Sequence, residues 1–406
     1  MMMKDARGTT GVVGKKRGSS GADGEDGKHL PNAITTQVGQ DLASSRELIK
    51  EISEETIGTL IPQFGIPIPA AGVEVNREIE GKKVKVLMHG IPLQEFEMHE
   101  DQLLVVEEES TMEMLALPMN HKGPEIEGAQ SWWTDKDAQE VLDENEVIHF
   151  DGVEAIVPVL ESCLTSNVRE FIGFQETSAI LDQVRKELPT LVNEVERLLP
   201  LQTISEVFQR LIEDGVPLTQ VRQVLESMIE HGQNEKDAVR LTDFVRQSLK
   251  RFITSLYLDD NDELSAYLLD PNLEDTVRQS IKQSNSGSYL ALDPDQAKTL
   301  ITTLREQMME DSGEGSSPLG QTGTSYLLCS MDVRRYVAKL VDKEIPKLKV
   351  LAHQEIMESA KINPLGRVKM VEKPVDLEQG GAPDMQQGPG AGMGGDLNRD
   401  FSGALG

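Results

Sequence analysis

Residues 188–253 constrain this chain most, because apolar side chains return there every three or four positions. Ile204, Val207, Phe208, Leu211 and Ile212 make one face. Leu218, Val221, Leu225, Met228 and Ile229 make a second, and Leu241, Val245, Leu249, Phe252 and Leu256 a third. Thr203 with Glu206 reads as a capping box, Asp214-Gly215 as a helix stop, and Pro217 as the start of the next helix. No nucleophile, metal cluster or phosphate loop interrupts the run. A segment of this kind packs and positions; it does not react.

The formal net charge of −29 argues against a nucleic-acid surface, which needs a basic stripe. It favours basic or apolar partners. Hydrophobic residues make up 38% of the chain, enough for ordinary cores, and 406 residues allow several domains. Cys163 and Cys329 stand far apart and read as two buried, reduced thiols, with a reducing compartment as the default. No run of apolar residues is long enough to span a membrane, and the basic N-terminus lacks the apolar segment of a secretory signal.

Residues 1–36, rich in Gly, Ser, Lys and Asp, read as a disordered leader. The run around Gly14-Lys15 only imitates a phosphate loop: Thr9 stands where a glycine is required, and Lys16 replaces the Ser/Thr that would meet magnesium. A helical pattern covers 41–60 and ends before Pro67 and Pro69. Strand alternation follows at 83–88, with a second short candidate at 102–106. Glu107-Glu108-Glu109 reads as a solvated edge. A loop leads into Trp132-Trp133, with a helix expected over 135–142 and a strand over 147–150. At least one Trp belongs in a core, since its large area is best buried, and the other reading is a partner-facing anchor. His149 shares no metal-ligand spacing with any other histidine. Beyond Tyr257, LDDNDEL reads as a linker. A helix follows to about Lys282, then a loop SNSGSYLALDPDQ that opens a helix at Pro294, and a Gly/Ser-rich loop at 312–324. The last block has a β-α-β rhythm: strands at 326–329, 347–351 and 366–371, with a helix through Val333, Tyr336, Val337, Leu340 and Val341. From Glu372 the composition is too rich in Gly and Pro to fold alone.

Residues 230–253, EHGQNEKDAVRLTDFVRQSLKRFI, resemble the cytosolic half of the LcrD/InvA/FlhA (FHIPEP) family, the large export-gate component of type III secretion. ELPTLVNEVERLLPLQTISEVFQRLIEDGV before it is similar too, as are LSAYLLDPNLEDTVRQSIKQSNSGSYLALDP (264–294) and EIPKLKVLAHQEI (344–356). The resemblance spans about residues 40–371, is strongest over 176–294, and leans to the injectisome branch. It implies an α+β multidomain fold. A first α/β subdomain would occupy 37–106 and 153–175, with a ferredoxin-like insertion at 107–152. A helical subdomain would fill 176–258 and a ring-building α/β subdomain 259–371, before a disordered tail at 372–406. It also implies a nine-membered ring beneath the export channel, at the cytoplasmic face of the bacterial inner membrane. That ring docks secretion chaperone–substrate complexes and other export-apparatus proteins, with no cofactor, metal or catalysis.

The family's membrane half has no counterpart before this region, so membrane attachment is expected only through a preceding segment or partner proteins. The insertion normally carries an aromatic before Gly-Leu-Pro-Ala-x-Trp; here Glu127 precedes Gly128, Ala129, Gln130, Ser131 and Trp132. The family's Thr-His pair falls on Pro158-Val159, and its Ser-Ile-Arg on Pro217-Leu218-Thr219. The candidate docking surface is therefore Pro124, Glu127, Trp132 and Pro158. Two other readings compete with a docking ring. A nucleotide hydrolase would need a phosphate loop or carboxylate–metal site, which the sequence lacks. A soluble regulatory relative would bind secretion proteins without forming a membrane gate.

Overall fold

A computed structural model of the chain describes residues 32–259, 261–284, 287–310, 325–342, 344–345 and 348–369. The Gly14-Lys15 run, the 312–324 loop and the 372–406 tail lie outside them.

The first unit begins with β1 (Ile34–Val38), followed by α1 (Arg46–Leu60), β2 (Ala71–Val75), β3 (Lys83–Met88) and β4 (Ile91–Glu97). They form a sheet in the order β2-β1-β3-β4, with β1 and β2 parallel and the other pairs antiparallel. The leader expected to run to residue 36 therefore stops short of Ile34, because Ile34 and Val38 are buried at the middle of this sheet.

A second sheet follows: β5 (Gln102–Val105), α2 (Glu109–Met114), β6 (His121–Lys122), β7 (Trp132–Asp135), α3 (Gln139–Glu144) and β8 (His149–Asp151). Its order is β6-β7-β5-β8, all antiparallel. The strand near 102 thus belongs to the inserted sheet rather than to the first, since its backbone pairs with β7 and β8. The tryptophans lie in a strand, not at the end of a loop; the helix expected after them does follow Asp135, its first turn a 3-10 helix at Lys136–Ala138 that leads into α3. Alternation along a strand separates them. Trp133, fully buried, packs into the large core shared with the first unit, while half-buried Trp132 packs beside Leu103, Val105 and Met112 in the insertion's own small core.

The chain returns through α4 (Ile156–Ser166) into the helical unit, made of α5 (Phe174–Arg185), α6 (Pro189–Leu198), α7 (Leu201–Glu213), α8 (Val221–Gly232), α9 (Ala238–Ser248) and α10 (Lys250–Tyr257). All five apolar residues read on the first face, from Ile204 to Ile212, are buried. At about 1.5–3 kcal/mol for each such side chain, that stripe holds α7 far more firmly than helix propensity could. The capping box read at Thr203 does not form. Pro200, with its extended backbone, starts α7 one turn earlier, so Thr203 and Glu206 sit inside the helix. Asp214-Gly215 does end it, with Gly215 at φ 75°.

The last unit contains β9 (Glu263–Leu269), α11 (Pro271–Gln279), β10 (Ile281–Ser284), β11 (Gly287–Leu290), α12 (Pro294–Glu310), β12 (Ser325–Cys329), α13 (Met331–Val341), β13 (Leu348–Ala352) and β14 (Lys361–Val368). Its parallel sheet runs β13-β12-β9-β14. The end of the expected linker is the start of β9, because Leu264 and Ala266 are buried there. Ser284 and Gly287–Leu290 of the expected SNSGSYLALDPDQ loop lie in the paired strands β10 and β11, and α11 ends at Gln279, before Lys282. The third strand starts at Lys361, five residues before its expected start at Gly366. Cys163 and Cys329 are both buried free thiols. Among the described residues no helix is long and apolar enough to cross a membrane.

Candidate docking site

The inserted sheet and the first unit meet along a seam built from a few side chains. Ile126 and Ala129 exchange backbone hydrogen bonds of 3.0 and 2.9 Å across Glu127-Gly128, whose φ angles of 51° and 79° define a tight hairpin turn. The turn is pinned from below. The Glu127 N–H donates to Ser162 Oγ on α4 at 3.0 Å, and Gln94 Nε2 on β4 donates to the Glu125 carbonyl at 2.7 Å. Burial, reinforced by the neighbouring Glu127 charge, pushes the Glu161 carboxyl above its ordinary range. The exposed Glu127 is thus held at a fixed point, beside a second acid that resists ionisation.

Pro124 and Pro158 are buried, and this corrects their place on the expected contact surface. Pro124 offers its carbonyl to the buried Ser131 hydroxyl, and Pro158 lies on the inward face of α4. They shape the seam from underneath; of the four only Glu127 is exposed. Trp132 is half-buried, and among the described residues its buried indole Nε1 has no hydrogen-bond partner.

A histidine pair that the sequence gives no sign of lies at the same seam. His99 and His121 stack at 4.3 Å with planes 3° apart, and His99 meets the Trp133 ring edge at 5.2 Å. Burial and the neighbouring His121 hold the His99 pKa below its usual value. Nothing in their spacing announces this, because His99 lies in the connection between β4 and β5 while His121 lies on β6, 22 residues further along the chain.

A second concentration of polar groups joins the helical unit to the last one. Arg246 of α9 is fully buried and grips the equally buried Glu355 with two hydrogen bonds of 2.6 and 2.7 Å. Arg334 of α13 reaches Asp214 at 2.9 Å, Asp243 at 3.7 Å and Glu355 at 3.4 Å. Burial works to raise the Asp214 pKa, but Arg334 and Arg246 outweigh it and leave the carboxyl below its ordinary value. Burial drives Asp243 the other way, upward, despite Arg334 and Arg335 beside it. Charged residues on amphipathic helices normally face water, so the sequence carried no signal for this cluster.

These geometries join and orient; they contain no nucleophile beside a base. Among the described residues no three His, Cys, Asp or Glu side chains come together in a way that could hold a metal ion. The chain is thus an α+β protein of several sheets and a helical unit, with polar contacts joining the inserted sheet to the first unit and the helical unit to the last. It belongs to the FHIPEP family, which it matches over residues 28–361. Low calcium response locus protein D of Yersinia pestis is 32% identical over 87% of the chain and half of its own length. Hypersensitivity response secretion protein HrcV of Ralstonia nicotianae is 28% identical over 87% of the chain and 51% of its own length. The chain therefore spans about half the length of these relatives. Among solved structures, Chlamydia pneumoniae CdsV superposes with a TM-score of 0.73 at 31% identity, covering 85% of this chain and all of that one. The nonameric EscV cytosolic domain from the type III secretion system gives 0.67 at 26% identity, covering 84% and 98%.

Proposed function

We propose that this chain is the cytosolic docking platform of a type III secretion export gate, which receives chaperone–substrate complexes and passes them toward the export channel. The observation that carries the reading is the family match across all four units, extending from the first sheet to β14. The β-α-β-β-α-β connection of the inserted sheet supports reading it as the ferredoxin-like insertion. EscV is nonameric and CdsV has been solved in complex with CdsO. By analogy this chain assembles into a nine-membered ring, built through its last unit, beneath the inner membrane and contacts other export-apparatus proteins. Attachment to the membrane would come through a segment outside this chain or through partners. Glu127 and Trp132 contact the cargo complex, while Pro124 and Pro158 hold that surface in shape.

The test is to image the purified chain by negative stain and to capture cognate chaperone–substrate complexes on it, with Glu127→Ala and Trp132→Ala as variants. Rings together with capture that weakens in the variants are expected. A chain that stays monomeric at every concentration and retains no chaperone complex would sink the proposal.

A further inference from the structure

The helical and last units leave a cleft of about 590 Å³ between them, walled by α7 and α9 on one side and by α13 and β13 on the other. Its charge runs against the rest of the molecule. Six cationic side chains line it against four carboxylates, whereas the whole chain carries 69 acids against 40 Lys and Arg. Most of those carboxylates are already committed. Asp214 and Asp243 belong to the Arg334 cluster, and Glu213 pairs with Arg169 at 2.7 Å. Three of the cations are paired as well: Arg169 with Glu213, Arg334 within its cluster, and Arg210 with Glu206 at 2.8 Å. Among the described residues exposed Lys339 and half-buried Lys349 make no ion pair, and Arg335 meets Asp243 only at 3.5 Å. Among the described residues Asp342 is the one lining carboxylate without a cationic partner.

A second hollow of about 620 Å³ adjoins the first and shares Arg210, Val239, Arg335 and Lys339 with it. This one is more apolar. Tyr289, 53% exposed on β11, lies along it with Leu290 and Leu340. The hairpin is fastened to α13 through Ser288, which accepts hydrogen bonds from Tyr336 at 2.6 Å and Arg335 at 3.0 Å. Spare positive charge therefore lies directly beside a fixed aromatic ledge.

We infer that this double cleft binds an acidic segment of a partner protein, its carboxylates on Lys339, Lys349 and Arg335 and an apolar side chain on the Tyr289–Leu290–Leu340 ledge. The occupant is a protein segment rather than a nucleic acid, because a net charge of −29 repels a long polyanion while a short acidic peptide meets only the local field. The inference stands apart from the docking reading, since it uses none of the residues around Glu127.

The test is fluorescence anisotropy on the full chain with a labelled peptide of alternating glutamate and leucine. A lysine–leucine peptide and a short single-stranded DNA serve as comparators. Binding of the acidic peptide is expected to weaken from about 50 to about 300 mM NaCl. Lys339→Glu with Lys349→Glu should weaken it about tenfold, corresponding to two surface charges of about 0.7 kcal/mol each. The milder Lys339→Gln with Lys349→Gln should weaken it less, with circular dichroism unchanged. Lys50→Glu, on α1, should leave it unaltered. Peptide binding that survives the double reversal, or that falls equally with Lys50→Glu, overturns the inference. So does DNA bound as tightly as the peptide. Self-association abolished by the reversal, with no peptide bound, would reassign the cleft to contacts between copies of the chain.

Discussion

Arg246 and Glu355 show how much a single buried pair can decide. Each is wholly removed from water, and the attraction between them offsets their desolvation only because the guanidinium fork meets the carboxylate through two hydrogen bonds. Removing one partner strands the other. Arg246→Met is expected to cost about 3–5 kcal/mol in urea unfolding, and Arg246→Met with Glu355→Leu to recover part of it. A cost below about 1 kcal/mol for the single variant would mean that the pair is not closed in solution. Asp214 predicts the pH response of the same junction. Its folded pKa is depressed, so its contribution is present above the unfolded value of about 3.9 and is lost as pH falls through the lower folded value. Asp243, with a raised pKa, works in the opposite direction, so the comparison needed is with Asp214→Asn. Its stability should fall less steeply between about pH 5 and pH 3 than that of the parent.

At the scale of elements, the inserted sheet is a unit whose two faces do different work. Leu104 and Trp133 face the first unit, while Leu103, Val105 and Trp132 face α2 and α3. Two crossings tie it to its neighbours, one at His99-Glu100 and the other at Gly152. Glu100 pairs with Lys82 at 3.4 Å and accepts a hydrogen bond from Ser45. Gly152 has φ 39°, and a Cβ there would lie 2.4 Å from the Glu100 carbonyl oxygen. No flexible side chain can yield at that point. Gly152→Ala should therefore destabilise the chain by at least about 1–2 kcal/mol. Faster amide exchange in β5 and β8 than in α7 should localise the damage to the crossing; uniform loss of protection would place the strain elsewhere.

For the molecule as a whole, the formal charge of −29 sets the terms on which copies can approach. Like charge opposes assembly and is screened over about 10 Å at 0.1 M salt. Self-association of the purified chain is expected to tighten as NaCl rises from about 0.05 to about 0.5 M, followed by sedimentation velocity. Association that weakens with salt would instead mean that complementary charges, such as the cleft lysines against a neighbour's acids, drive it.

The sequence by itself determined the helical unit, because apolar periodicity depends only on neighbours along the chain. The stripes on α7 and α8, the stop at Gly215 and the strands β3, β12 and β13 were all legible in that way, whereas the third stripe holds only to Leu249, since α10 begins there and leaves Leu256 exposed. The family resemblance was equally local, resting on contiguous motifs. Burial across units was not legible. Nothing near Pro124 or Pro158 showed that the returning α4 and the turn at Glu127 would close over them. The start of β1 at Ile34 was hidden for the same reason, since its partners are residues 71–75 and 84–88. Only the tertiary structure could bring His99 to His121, or Arg246 to a glutamate 109 residues away. Pairings across such separations are decided by chain topology and shared desolvation, not by the spacing that a sequence displays.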